Sequence, residues 1–217
     1  MMTLDEYLKT KGVNTLDDVN YPLAASSRVY HVGNLAFPIN SFNASGTGDR
    51  RFDPVTIGGN VIGTYYFAQH PIDAIAETLY RMDATGQRFC TGTNKNVIVQ
   101  SDLVRDMNFL DLSEIPDTRI QEALGLGQTG YRVLQGFAAM FLRLASSLPF
   151  DGLTWISHQR AVPGQRCFVL FGDRATSADL EARVVELLRS QGGYAKLRDA
   201  FVSLSDTVNL PNRSDLL

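Results

Sequence analysis

The sequence predicts an α+β fold in a single domain, and three observations lead there. Apolar residues switch several times between a period of two and a period near 3.6, so both strands and helices are encoded. The switches do not alternate strictly as strand–helix–strand, which argues against a doubly wound parallel sheet. With 44% hydrophobic content and 12 Phe, 217 residues can bury a real core, at a length that favours one domain.

Thr3 and Glu6 have the spacing of a capping box, so a short helix opens there, and Gly12 ends it. Residues 14–19 allow one more helical turn. "SRVYHVG", residues 27–33, alternates as a strand. Residues 34–63 are rich in Gly, Asn, Ser and Pro without periodicity, which reads as a long loop region of the kind that carries function. Residues 64–68, "TYYFA", are β-branched and aromatic and read as a strand. Pro71 then opens a helix running to Arg81, with Ile72, Ile75, Ala76, Leu79 and Tyr80 on one face.

"NVIVQSDL" and "MNFLDLSE" read as two strands, and residues 117–126 as a short helix. The clearest helix covers residues 131–148, where Val133, Leu134, Phe137, Phe141, Leu144, Ala145 and Leu148 form one stripe. "DGLTWIS" and "RCFVLFG" look like buried strands. Residues 178–204 read as helical, on Leu180, Val184, Leu187 and Leu188 and then Tyr194, Leu197, Phe201 and Leu204.

Composition removes several function classes. Twenty Lys and Arg against 23 Asp and Glu give a net charge of −3, without the clustered cations that phosphate backbones demand, so direct nucleic-acid binding is not expected. Cys90 and Cys167 are far apart, and His31, His70 and His158 are scattered, so neither a metal site nor a disulfide framework is expected. The N-terminus is acidic and amphipathic rather than a signal peptide, and "FAAMFLRLASSLPF" is too short to span a bilayer. The expectation is a cytoplasmic protein without a membrane span, with delivery into another cell left open. "GTGDRRF" lacks the Lys-Ser/Thr of a P-loop, and no GxSxG nucleophile elbow occurs.

Glu77 is the residue whose meaning periodicity leaves open. Asp73, Glu77 and Arg81 fall four apart, as a charged stripe beside the apolar face. A Glu four residues before an Arg is the favourable order for a helical ion pair, worth about 0.2–0.5 kcal/mol. On geometry alone Glu77 is a surface carboxylate.

Several ordered pieces change that reading, because together they resemble the RES domain family, named for an Arg, a Glu and a Ser. "RVYHVG" resembles the opening strand and offers Arg28; "GDRRFDP" resembles a Gly-Arg-aromatic-Asn/Asp-Pro turn and offers Arg51, or Arg50 in a shifted register. "YYFAQHPIDAIAE" resembles the strand and helix that carry the Glu, supplying Tyr66 and Glu77. "FLDL", Gln135 with the helix after it, "FDGLTWIS" with Ser157, and "CFVLFGDR" follow in the family's order.

The resemblance implies an ADP-ribosyltransferase-like fold and an NAD-consuming toxin of a toxin–antitoxin pair. It implies a core over residues 27–175; the helical extensions at 1–26 and 176–217, the latter packed on the core, are additions to the family's pattern. Catalysis would fall to Glu77 and Arg28, with Arg51, Tyr66 and Ser157 binding substrate. NAD would be the substrate rather than a cofactor, no metal would be needed, and the activity would inhibit growth. The acceptor of ADP-ribose could be water, phosphate, or a protein or small-molecule target, and a nucleotide-holding module without turnover is the alternative. The implied protein partner is an antitoxin-like inhibitor, and a homodimer stays open.

Overall fold

In chain order the elements are α1 (Leu4–Thr10), β1 (Asn20–Leu23), β2 (Arg28–Asn34), β3 (Val55–Ile57), β4 (Asn60–Ile62) and β5 (Thr64–Ala68). Then come α2 (Pro71–Leu79), β6 (Tyr80–Met82), β7 (Arg88–Cys90), β8 (Asn96–Leu103), β9 (Met107–Asp111) and α3 (Thr118–Gly125). The chain continues through α4 (Tyr131–Leu144), β10 (Gly152–Ile156), β11 (Arg166–Phe171), β12 (Leu180–Leu187) and α5 (Gln191–Val202). These belong to a computed structural model that describes residues 3–46, 50–53, 55–82, 88–91, 95–144, 148–157 and 165–202.

Eight of the strands form one sheet in the order β1-β9-β10-β11-β5-β2-β8-β12, which makes the domain α+β as the sequence predicts. β9 and β10 run parallel; the other neighbours are antiparallel. The join between β2 and β5 is unlike the rest. β2 follows β8 from Arg28↔Asp102 to Asn34↔Asn96, yet it meets β5 at the single pair Tyr30↔Ala68. The sheet therefore splits into two halves, and the split leaves room between the strands.

One face of the sheet packs against the helices, burying Ile75 and Leu79 of α2, Leu134 and Phe141 of α4, and Leu197 and Phe201 of α5. The other face is aromatic: Phe67 stacks on Phe168 at 4.8 Å, and Phe109 meets Phe168 edge-on at 4.9 Å. α1 is part of the core rather than a loose cover, since Leu4, Tyr7 and Leu8 are buried. Its capping box forms as predicted, with Thr3 and Glu6 exchanging hydrogen bonds. Asp117, the N-cap of α3, accepts from the Tyr7 hydroxyl at 2.7 Å and pairs with Lys11 at 2.8 Å. Burial opposes ionisation of Asp117, but Lys11, Tyr7 and the Arg119 amide outweigh it and hold the carboxyl below its usual range.

Three expectations need correction, and one strand carried no signal. Residues 180–187 form strand β12, not a helix, because β8 offers an open edge and Val184–Val185 suits an extended chain; Glu181, Arg183 and Glu186 leave that edge charged. Helix begins only at α5, and residues 203–204 lie outside the described residues. α2 stops at Leu79, because Tyr80 turns extended and buries its ring edge-on against Phe201; Arg81 therefore lies in β6, outside the helix that carries Glu77. The stretch 34–63 is not all loop, since β3 and β4 form a hairpin through Gly58 and Gly59, both at positive φ. Residues 20–23, which no periodicity singled out, pair with β9 as an edge strand. α4 ends at Leu144, and residues 145–147 of the predicted helix lie outside the described residues. Among the described residues no helix is long and apolar enough to cross a membrane.

Candidate active site

Glu77 is positioned by a helix with little freedom. Pro71 sits in the first turn of α2, and His70 caps it, its Nδ1 accepting from the Ile72 amide at 3.3 Å. Ala74, Ile75, Ala76 and Leu79 are buried, fixing the rotation of the helix. That rotation turns Glu77 inward, and its side chain is only 13% exposed. The Ser157 hydroxyl, just past β10, donates to Glu77 Oε1 at 2.8 Å. Arg51 Nη2 approaches Glu77 Oε2 at 3.4 Å, and Arg51 Nη1 donates to the Leu124 carbonyl at 2.8 Å. The rings of Tyr131 and Trp155 each lie 5.7 Å from that guanidinium. Three residues far apart in sequence thus meet at one carboxylate.

The two arginines are placed differently. Arg51 is 5% exposed in its side chain and is spent on Glu77 and a carbonyl, so it holds the carboxylate rather than facing open space. Arg50 is the one over the Tyr66 ring, at 5.5 Å. Tyr66 is fixed by its hydroxyl, which donates to Asp53 Oδ1 at 2.8 Å and accepts from the Phe52 amide at 2.9 Å. Burial, with Asp53 beside it, pushes the Tyr66 phenol well above its ordinary range, so it stays neutral. Gln135 locks the same turn, its Nε2 donating to the carbonyls of Arg50 at 3.0 Å and Asp53 at 2.9 Å.

Two cavities adjoin here. A pocket of about 400 Å³ opens at the split, bounded by β2, by the chain after it, and by Arg50, Tyr66 and Thr78. A second, of about 20 Å³, touches Glu77, Arg51, Tyr131 and Trp155 and shares Arg50, Tyr66 and Thr78 with the first. The larger space is not the one that contains the carboxylate. The smaller contains the Glu77–Arg51 pair, and the larger adjoins it.

Arg28 does not join this group, contrary to the expectation drawn from "RVYHVG". Its side chain is 61% exposed, at the end of β2, and its nearest acidic partner is Asp102 at 3.9 Å. Position along the strand is the cause: Arg28 is the first residue of β2, opposite Asp102, whereas the pocket is lined by the later residues His31 to Asn34. Cys167 is buried near Glu77, and burial above all, then the Glu77 charge, pushes its thiol well up, so it is no nucleophile. Among the described residues no three His, Cys, Asp or Glu are grouped to hold a metal.

Sequence reasoning brought Arg51, Tyr66, Glu77 and Ser157 to one place and missed Asp53, Trp155 and His31. Asp53 stands inside the quoted "GDRRFDP" turn, so a signal was present. Trp155, the chain's single tryptophan, carried none beyond its aromaticity.

Comparison with known proteins adds two findings. A family profile described as "RES domain" matches residues 27–190. A chain from the crystal structure of the M. tuberculosis MbcT–MbcA toxin–antitoxin complex has a similar fold, with a TM-score of 0.53 and 16% identity, over 90% of this chain and 99% of that one. No curated protein matches.

Proposed function

The chain belongs to the RES domain family, and from that premise we propose that it is an NAD-consuming toxin that breaks the bond between nicotinamide and ribose. The observation that supports this reading is the clamped carboxylate, Glu77, held by Ser157 at 2.8 Å and Arg51 at 3.4 Å beside a pocket. In the reaction the bond from the ribose C1 to the pyridinium nitrogen breaks, its electron pair stays on nitrogen, and neutral nicotinamide leaves. Positive charge builds on the ribose in an oxocarbenium-like state. A carboxylate already fixed next to that carbon stabilises the charge without reorganising, which is the role given to Glu77. Ser157 and Arg51 keep it in place. An acceptor oxygen then bonds to C1 and gives up its proton; water yields ADP-ribose, phosphate yields the 1-phosphate, and a protein or small-molecule target keeps the ADP-ribose. Arg50, on the wide pocket, offers a forked cation for the pyrophosphate, and the Tyr66 ring a face for stacking.

A second reading, a module that holds the nucleotide without cleaving it, has one observation in its favour. The cavity at Glu77, about 20 Å³, takes roughly one water, too little for a ribose to reach the carboxylate as it stands. The experiment that separates the readings is product analysis by mass spectrometry after incubation with NAD, with and without phosphate and cell lysate. Nicotinamide release is expected, together with growth arrest on expression in bacteria that Glu77→Ala relieves. Tight NAD binding with no nicotinamide and no arrest would favour the module.

Such an activity in the cytoplasm needs restraint, and α1 is too well packed to serve as a lid. We assign that restraint to a small antitoxin-like protein that blocks the pocket in trans; the similar fold found in a toxin–antitoxin complex supports this. A blocking partner competes with NAD, so each weakens the other's affinity by the same factor, which a pull-down with NAD competition reads.

A further inference from the structure

On the wall of the wide pocket the fold dictates the orientation of the His31 ring. Where β2 and β5 part, the Tyr66 carbonyl has no partner on β2; instead His31 Nδ1 lies 2.6 Å from it. A carbonyl only accepts, so Nδ1 carries the proton. The ring is also held from the side, stacked on Tyr65 at 4.4 Å and 28°. Burial, with Arg50 nearby, lowers its pKa to about 4, so the imidazole is neutral at physiological pH. A neutral ring protonated at Nδ1 has a lone pair at Nε2. The neighbour on that edge is Gly33: a Cβ there would sit 3.5 Å from both Cδ2 and Nε2 of His31. Gly33 is not at positive φ, so its backbone does not require glycine. What the missing side chain does is leave the Nε2 edge uncovered within the pocket wall that both residues line.

We propose that His31 is a substrate-positioning residue, its Nε2 accepting a hydrogen bond from an N–H of one of the dinucleotide's two bases, the adenine amino group or the nicotinamide carboxamide. This rests on the NAD reading above. An acceptor here complements Arg50, which supplies only donors on the same wall: the pair recognises a ligand presenting an N–H and an anion together. The outcome is selectivity for the base, separate from bond cleavage at Glu77.

The test compares NAD with two analogues, one with hypoxanthine in place of adenine and one with nicotinic acid in place of nicotinamide. Nicotinamide or nicotinic acid release is measured for the wild type, His31→Phe and Gly33→Val. The wild type should disfavour one analogue by about 5- to 10-fold in kcat/KM, the effect of one neutral hydrogen bond, and the analogue disfavoured identifies the base. His31→Phe keeps the stacked ring and loses the acceptor; it should raise the KM for NAD by about the same factor, with kcat within about twofold, and erase the preference. Gly33→Val covers the Nε2 edge while leaving the Nδ1 contact, and should do the same even if His31→Phe folds poorly. Equal treatment of all three dinucleotides by the wild type, or a preference kept by both variants, overturns the proposal. If the wild type releases nothing from NAD, the enzymatic reading fails by itself, and calorimetry with the same dinucleotides takes over. Affinity for NAD that falls in both variants then upholds the role of His31, and equal or absent affinity overturns it.

Discussion

The two halves of the sheet, which meet only at Tyr30 and Ala68, contribute unequally to the site. The half containing β5, β11 and β10 brings Tyr66 and Trp155 directly, Ser157 at the end of β10, and Glu77 through the helix that follows β5. The half containing β2, β8 and β12 brings His31 and Gly33 to the pocket and leaves Arg28 in solvent beside Asp102. The Glu77 ion pair sits on one side of the split, and the recognition we propose for His31 on the other. The difference shows what a motif can and cannot specify. A helix that follows its strand after two residues carries its carboxylate to a fixed place. A strand joined to its neighbour at one point lines the gap with consecutive residues, His31 to Asn34, and leaves its first residue, Arg28, outside it.

Breaking the charged side should have the largest effect. Arg51→Ala removes a buried cation that holds both Glu77 and the Leu124 carbonyl. Loss of one partner of a buried pair costs about 3–5 kcal/mol, so we expect a large fall in melting temperature and in turnover. Denaturant unfolding and nicotinamide release measure both.

Ser157→Ala is a narrower cut on the same side. It removes one hydrogen bond to a charged oxygen, worth about 1.5–3 kcal/mol, and should lower kcat roughly 10- to 100-fold. Steady-state kinetics beside a thermal melt would show kcat falling more than stability. If stability alone falls, Ser157 only holds the fold.

The recognition side has a pH signature. The folded protein holds His31 at about 4, against an ordinary 6.5. Between those values the unfolded chain binds a proton that the folded chain does not, so stability falls as pH drops through that window. His31→Phe should flatten that part of the stability–pH curve, which urea unfolding between pH 7 and roughly pH 4 would read.

The smallest effect is expected at Arg28. Its exposed side chain and 3.9 Å approach to Asp102 make a pair worth about 0–1 kcal/mol. Arg28→Ala should leave both turnover and melting temperature nearly unchanged. A severe loss of activity would join the two halves again.

Much of this was legible in the sequence, for physical reasons that differ by element. The strand at residues 64–68 and helix α2 could be read because β-branched and aromatic residues give way to Pro71 and a 3.6-residue period. Glu77, Arg51 and Ser157 were reachable only through an ordered set of motifs, since nothing local says that a helical carboxylate points inward. β12 was misread because Leu180, Val184 and Leu187 satisfy a helical period while the open edge of β8 determined the outcome. The motif did not place Arg28 because it names residue types, whereas distance along the strand decides which of them reach the cavity. His31 gave no signal, because its role depends on where β2 leaves β5.

The most direct measurement is nicotinamide release from NAD by the wild type, Glu77→Gln and Arg28→Ala, with thermal melts run on the same preparations. Glu77→Gln keeps the shape of the side chain and removes its charge. We expect it to abolish release with the melt nearly preserved, while Arg28→Ala turns over NAD like the wild type. Release by Glu77→Gln at the wild-type rate would contradict the assignment of the chemistry to this carboxylate.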